Sequence, residues 1–230
     1  KALDRGQTPT ITPDLTDELF VVQVDADGVA RDGRASIGTL LEATASSQYA
    51  RRSAQLLPTG AIATSIPRGS AAMSNLSLLT SGREQLFLVD LPACTVTSIG
   101  FTSQATALSA GTNQWFSIRS AARALLATTA DDTSTAWAAN TTKTLTISGG
   151  YTVTTPGQYY IGIMVAASTP PTLLGANMLI QSGMAAGPPV LCGQDATNTG
   201  LTNPASAPAT SAALTILTGH PFIIVNGTLT

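Results

Sequence analysis

The residues of this chain that could do chemistry are concentrated between positions 115 and 140, in the stretch WFSIRSAARALLATTADDTSTAWAAN. Asp131 and Asp132 are paired carboxylates, and glycoside cleavage uses two carboxyl groups that flank the bond. Adjacent side chains point apart on a strand, however, and aspartates close turns through their own side chains. Glu84 and Asp90 are the alternative pair. We therefore interpret this stretch mainly as two strands and the turns that join them.

Nucleophilic catalysis depends on a single histidine, His220, which would need a serine and an aspartate such as Asp195 beside it. The sequence contains no G-x-S-x-G motif, and the residues around His220, TGHPFIIV, are typical of the start of a strand. We predict a histidine at the edge of the core or at the surface, no catalytic residues, and a protein that is not an enzyme.

Metal and cofactor sites have equally little support. Cys94 and Cys192 are too few, even with His220, for the four ligands of a structural zinc site. The acidic spacing in DADGVARDG (25–33) hints at calcium but lacks a third ligand before the glycine and a closing glutamate. The cysteines could form a disulfide, although two isolated buried thiols are the commoner case. We predict no metal and no cofactor.

Sugar binding is the remaining surface chemistry, because exposed aromatic rings above polar loops stack on sugars. Trp115 and Tyr159 are better explained as core residues, whereas Trp137 follows a turn and either position is open. The candidate surface contacts are Trp137, Tyr151, Asp131 and Asp132.

Charge is scarce and unevenly distributed. Only 10% of the 230 residues are charged, against roughly 25% in ordinary soluble domains. The net charge of −2 offers no attraction for nucleic acid or anionic lipid, and no apolar run reaches the roughly 20 residues of a membrane span. A surface so poor in charge predicts burial between subunits, because few charges keep neighbouring molecules apart.

The charge distribution predicts three segments. Of the 24 charged residues, 14 lie within residues 1–52. There, strand composition over 18–24, the turn DADG and a return over 29–38 predict a hairpin, and the spacing over 39–52 predicts a short helix that Thr39 could cap. Residues 53–72, with two prolines and two glycines, are expected to be a linker.

Residues 73–230 are predicted to form a β-sandwich, jelly-roll-like in type. Strand composition recurs at 83–91, 95–103, 114–120, 143–149, 157–167 and 221–227. In YYIGIMVAA (159–167) alternate residues share a face, which predicts a sheet with one strongly buried side. Residues 181–214 hold one charge, so this segment should be disordered if free, or lie across a neighbouring subunit, or form a distal contact surface.

Two stretches resemble virion proteins of tailed bacteriophages, especially those of actinobacteria. The residues FSIRSAARALLATTADDTSTAW (116–137) and GQYYIGIMVAASTPPTLLG (157–175) are similar to a β-sandwich module of these proteins. The N-terminal DLTDELFVVQVDADGVARDGRASIGTLL (14–41) resembles the adaptor that begins many phage fibre proteins.

The resemblance implies a head fibre or tail fibre that is a homotrimer on the particle surface. Residues 1–52 would attach to capsid or tail proteins, and the sandwich would face outward for host adhesion, with a cell-surface glycan as one candidate partner. A capsid decoration protein and a carbohydrate-binding module are the alternatives. The resemblance supplies no catalytic residues.

Overall fold

The computed structural model describes residues 57–68, 71, 74–177 and 189–230, together with the backbone of 18–24 and 30–36. The chain divides into two compact units, Lys1–Gln55 and Leu56–Thr230. In the first unit, β1 (Glu18–Val24) pairs antiparallel with β2 (Ala30–Ser36), which agrees with the predicted hairpin. The helix predicted over 39–52 lies outside the described residues.

In its described residues, the second unit contains thirteen strands, all with antiparallel neighbours. They are β3 (Ala61–Thr64), β4 (Ser74–Leu76), β5 (Glu84–Leu91), β6 (Cys94–Thr102), β7 (Ser109–Ser120), β8 (Leu125–Thr128), β9 (Thr142–Val153), β10 (Gly157–Thr169), β11 (Leu173–Asn177), β12 (Cys192–Asp195), β13 (Leu214–Ile216), β14 (Gly219–Pro221) and β15 (Ile223–Leu229). The sheet orders are β13-β12-β5-β10-β7-β8, β3-β15-β6-β9 and β14-β11-β4. The mainly β prediction is confirmed, and no helix of seven or more residues occurs in the described part.

One apolar core joins the six-stranded and four-stranded sheets, as in a sandwich. Phe116 on β7 and Phe101 on β6 are both fully buried, and their ring centroids are 4.7 Å apart. Ile161, Ile163 and Val165 on β10 belong to the same core, as the alternating pattern predicted. Aromatic rings and branched side chains dominate this core because they remove the most apolar area from water.

The other face of the six-stranded sheet is buried too, and here the expectation of a single buried side was wrong. Trp115 and Met164 on that face are fully buried and pack with Leu201, which follows β12 in the chain. Phe116 and Ile118 on β7 lie on the opposite, core-facing side, and β7 pairs with β8, as the expectation of two joined strands in residues 115–140 implied.

All six predicted strands are present, but short ones were missed. Residues 61–64, inside the expected linker 53–72, form β3, which pairs with β15. This correction has a simple cause: four residues of mixed composition carry no readable period, and β15 supplies their backbone partners from more than 150 residues away.

Both cysteines are free thiols in the core. The Cys192 thiol donates to the carbonyl oxygen of Leu217 at 3.2 Å, and burial raises the pKa of Cys192 to about 11. Burial also raises the pKa of Cys94. The two cysteines pack as small apolar side chains. Of the two alternatives that the sequence left open, the structure therefore shows two isolated buried thiols and not a disulfide.

Candidate functional site

The aspartate pair lies in the loop between β8 and β9, and it closes that loop. The Asp131 carboxylate accepts the backbone N–H of Gln114 at 3.0 Å, and the Asp132 carboxylate accepts the backbone N–H of Thr135 at 2.9 Å. The predicted turn role is therefore confirmed for Asp132, whereas Asp131 ties the loop to β7. Each carboxylate is thus held by its own backbone donor, which is a structural role.

Lys143, near the start of β9, anchors this loop to the four-stranded sheet. Its ammonium group donates to Asp132 Oδ2 at 2.7 Å and to the carbonyl oxygen of Thr135 at 2.8 Å, and its side chain is only 5% exposed. Burial alone would raise the pKa of Asp132, but hydrogen bonds from Lys143 and Thr135 and the lysine charge outweigh it, so the pKa lies below its usual value. The ion pair fastens the loop to the sheet.

Trp137, a candidate sugar contact, is 1% exposed and belongs to the core. Its indole N–H donates to the carbonyl oxygen of Thr141 at 3.1 Å, and its ring meets that of Phe116 edge-on at 6.4 Å. The Lys143 ammonium stands 6.0 Å from the ring centre. With no open ring face, Trp137 cannot stack on a sugar, and this candidate is corrected to a structural residue.

Tyr151, the remaining aromatic candidate, and Tyr159, which was expected in the core, are both half-buried. The Tyr159 hydroxyl donates to the carbonyl oxygen of Thr155 at 2.9 Å, and both Tyr159 and Tyr151 pack against the core. Burial, and then the nearby Tyr159, raises the pKa of Tyr151. Tyr151 keeps part of its ring at the surface, so it is the one aromatic candidate still available for contact.

An open groove of about 480 Å³ runs beside the Asp132–Lys143 ion pair. It is lined by Asp131, Asp132, Thr135, Ala136, Trp137, Thr141, Thr142, Lys143, Thr144, Leu145 and Thr146. Threonine hydroxyls dominate its surface, and Lys143 already donates within the protein, so the groove offers hydrogen bonds rather than acid–base chemistry. Across the described residues, no three His, Cys, Asp or Glu side chains come together as metal ligands.

His220 is buried, so the predicted surface position is excluded and the predicted position at the edge of the core is the one that agrees with the structure. Its ring nitrogens Nδ1 and Nε2 each stand 3.2 Å from a carbonyl oxygen, those of Pro221 and Leu88 respectively, and its ring lies 5.5 Å from that of Phe87. Burial lowers the pKa of His220, although both carbonyls pull it upward. The imidazole thus tethers β14 to β5, which is a structural role.

This burial makes stability depend on pH. His220 is the only histidine, with an ordinary value of 6.5. Below pH 6.5, His220 binds a proton in the unfolded chain but stays neutral in the folded chain. The free energy of unfolding should therefore fall as the pH drops from 6.5 towards the pKa of His220 in the folded protein. Above 6.5 the group contributes no slope. Urea unfolding between pH 7.5 and 5 measures this.

The matched variant for that titration is His220→Asn, which keeps a polar side chain that does not titrate. It should lose the slope between pH 6.5 and 5, whatever its overall stability. A slope of unchanged size in His220→Asn would assign the effect to other groups.

Sequence reasoning missed a buried ion pair on the outer face of the six-stranded sheet. Arg119 on β7 donates from Nη2 to Glu84 Oε2 at 2.6 Å and from Nε to Oε1 at 3.1 Å, and both side chains are 0% exposed. The Ser117 hydroxyl also donates to Oε1. Gly162 on the intervening β10 makes room, because a Cβ there would collide with Ser117 Oγ and Glu84 Oε1.

Residues 195–213, here named the cover segment, close over this pair. Arg119 Nη1 donates to the carbonyl oxygen of Pro208 at 3.0 Å, and the Trp115 indole N–H donates to that of Thr202 at 2.8 Å. Arg123 Nη2 reaches the carbonyl oxygen of Ala212 at 3.0 Å. The chain itself therefore supplies contacts that order these residues, so the expectation that the segment would be disordered when free was wrong. Residues 181–188 lie outside the described part.

Asp195 fixes the start of the cover segment. Its carboxylate accepts the backbone N–H groups of Thr197 and Asn198, each at 2.9 Å. Burial alone would raise the pKa of Asp195, but the hydrogen bonds from Asn198 and Thr197 outweigh it and hold the pKa below its usual value. A periodic donor pattern on β7, with Trp115, Ser117 and Arg119 at alternate positions, was the sequence signal for this buried polar face.

Comparisons extend these observations very little. Searches against protein-family models, curated proteins and solved structures found no match for this chain. No helix in the described residues is long and apolar enough to cross a membrane.

Proposed function

We propose that this chain is a structural protein of a bacteriophage particle, a homotrimeric fibre or appendage. Residues 1–52 attach it to capsid or tail proteins, and the sandwich is displayed for adhesion to the host surface. The sequence resemblance to phage virion proteins motivates the assignment. The two stretches that carry this resemblance in the sandwich, residues 116–137 and 157–175, include parts of β7 and β10. These strands are neighbours in the middle of the six-stranded sheet.

The observation that carries the proposal is the nearly uncharged exterior of the sandwich. Ten charged residues follow residue 56, and four of them are buried: Glu84, Arg119, Lys143 and Asp195. Of these ten charged residues, only Arg68 and Asp90 are exposed, and the other four are half-buried. A free domain needs surface charge to remain dispersed, so a surface this neutral favours a protein held among other subunits.

The contrast with the first unit supports a division of labour. Residues 1–52 hold 14 of the 24 charged residues in less than a quarter of the chain. Ion pairs across an interface add specificity to partner choice more than affinity. The charged segment is thus suited to select its place on a particle, while the neutral sandwich faces sister copies and the host.

The experiment is labelling of intact particles of the phage that encodes this chain. Antibodies against the full chain, visualised by gold labelling, should mark the particle, and pre-immune serum is the control. Labels confined to projecting appendages support a fibre, whereas labels spread over the shell favour the decoration alternative. Purified full-length chain should have three times the chain mass in solution. Particles without label would refute the proposal.

A further inference from the structure

The groove beside the Asp132–Lys143 ion pair is bounded on two sides. One wall is formed by residues 142–146 of β9, and the other is the loop 131–137. The volume of about 480 Å³ falls within the roughly 300–1,000 Å³ that is usual for small-molecule sites. Because the loop closes the far side, the sheet cannot continue across the groove, and the space suits a compact ligand.

The charges that line this groove are already bonded within the protein. The Lys143 ammonium and the Asp132 carboxylate neutralise each other at 2.7 Å, and no other described lining residue is a cation. The Asp131 carboxylate accepts the backbone N–H of Gln114 and the side-chain amide of Asn113, and its negative charge is the one left without a cation. The groove therefore repels anionic ligands and offers hydrogen-bond acceptors to neutral ones.

Threonine hydroxyls supply most of the side-chain hydrogen-bonding groups on the β9 wall. Thr144 and Thr146 are exposed, and neither hydroxyl has a hydrogen-bond partner among the described residues. The Thr142 hydroxyl shares one hydrogen bond with that of Thr102 at 2.8 Å and keeps capacity for another. A hydroxyl both donates and accepts, so this row matches a ligand whose own groups do both, as the hydroxyls of a saccharide do.

The backbone of β9 adds a second set of polar groups to the same wall. In an antiparallel pair, residues alternate between those bonded to the neighbouring strand and those that face away from it. The Ser103 N–H donates to the Thr141 carbonyl oxygen at 2.8 Å, and the same register continues along β6 and β9. Thr142, Thr144 and Thr146 therefore direct their N–H and C=O groups away from β6, to the edge where the groove lies.

The groove also has a small apolar part, made by Ala136 and the half-buried Leu145. Saccharide rings carry C–H groups that pack on such a surface while their hydroxyls bond to polar groups around it. An extended peptide that pairs with a strand edge takes its specificity from recesses for alternate side chains. The exposed threonines of this edge form no such recess, so the lining favours a ligand whose polar groups are mostly hydroxyls.

We propose that this groove binds a short neutral oligosaccharide. Thr144 and Thr146 bond to the sugar through their hydroxyls and their backbone edge, and Ala136 and Leu145 contact a ring face. Asp131 accepts further hydrogen bonds, because a carboxylate has about four acceptor positions and the protein fills two of them. The inference rests on the host adhesion in the proposed function, and it names the ligand class and the surface that binds it.

The test is a glycan array with the purified full chain, followed by titration calorimetry with a neutral oligosaccharide that the chain retains. Neutral oligosaccharides should bind, whereas carboxylated, sulfated and amino sugars should not. Thr144→Val combined with Thr146→Val keeps the shape of both side chains, removes both hydroxyls and should weaken binding at least about tenfold. The matched control is Thr152→Val, at an exposed position of β9 outside the groove, which should leave the affinity unchanged.

Methyl NMR of the unmodified chain locates the ligand without any substitution. On titration with the same oligosaccharide, the methyl signals of Ala136, Thr144 and Thr146 should shift, while that of Thr152 should stay in place. Unfolding midpoints of the valine variants, measured by circular dichroism, verify that both keep the fold.

Several results would overturn the inference. Retention of charged sugars only, or of no sugar, by a chain that labels the phage particle would remove this site and leave the proposed function standing. Undiminished affinity in the double valine variant would place the saccharide elsewhere on the protein. An extended peptide that shifts the Thr144 and Thr146 signals, with no neutral sugar retained, would assign the edge to strand pairing. Binding of the neutral oligosaccharide in the groove by a chain absent from particles would refute the proposed function alone.

Discussion

Arg119→Met should lower the free energy of unfolding by about 3–5 kcal/mol, because it leaves the Glu84 carboxylate buried without its cation. Among the described residues, the Ser117 hydroxyl would be the only remaining side-chain donor to that carboxylate, and the carbonyl oxygens of Arg123 and Pro208 would each lose the hydrogen bond from Arg119. Urea denaturation at neutral pH measures the loss.

Two further variants separate the ion pair from simple packing. Glu84→Gln combined with Arg119→Met removes both charges and should recover much of the loss, since no unpaired charge remains. Arg123→Met removes a half-exposed guanidinium that donates to Ala212, and should cost only about 1 kcal/mol. If Arg119→Met costs no more than Arg123→Met, the Glu84–Arg119 pair is not the buried anchor described here.

Trp137→Ala should lower the free energy of unfolding by about 3–5 kcal/mol, the usual cost of emptying a buried aromatic position. The change removes the edge-on contact with Phe116 and the hydrogen bond to Thr141. Thermal and urea unfolding both measure this effect.

The matched control for Trp137 is Tyr151→Ala, at a half-buried aromatic position that lies on the same strand β9 as Lys143. It should cost clearly less, because less of its ring is withdrawn from water. A glycan array with both variants tests the sugar alternative directly. Loss of glycan binding in a stably folded Trp137→Ala protein would contradict the structural role.

The long strands were predictable because their pattern is local. The alternation in YYIGIMVAA and the turn residues near Asp131 and Asp132 determine strand and turn within a few neighbours. The strand β8 agrees with the expectation of two strands in residues 115–140, because the short stretch LLAT runs directly into threonine-rich turns. The mainly β fold class and the pairing of β7 with β8 were therefore predictable from the sequence.

The elements that the sequence did not predict depend on partners that are distant in the chain. The short strand β12 gains its place from β5, and the cover segment gains its order from Trp115 and Arg119. The burial of Trp137 similarly depends on the fold bringing Phe116 against it. A local pattern cannot report such contacts, because tertiary packing decides them.

The cover segment is held by hydrogen bonds to its main chain, and this affects which positions can vary in sequence. The acceptors for Trp115, Arg119 and Arg123 are carbonyl oxygens, which every amino acid provides. Its solvent-facing positions, such as Ala196, Thr199, Ala205, Ala209 and Ala212, make no side-chain hydrogen bond in that grip. Descendant sequences can therefore change side chains at these positions while the scaffold beneath stays constant.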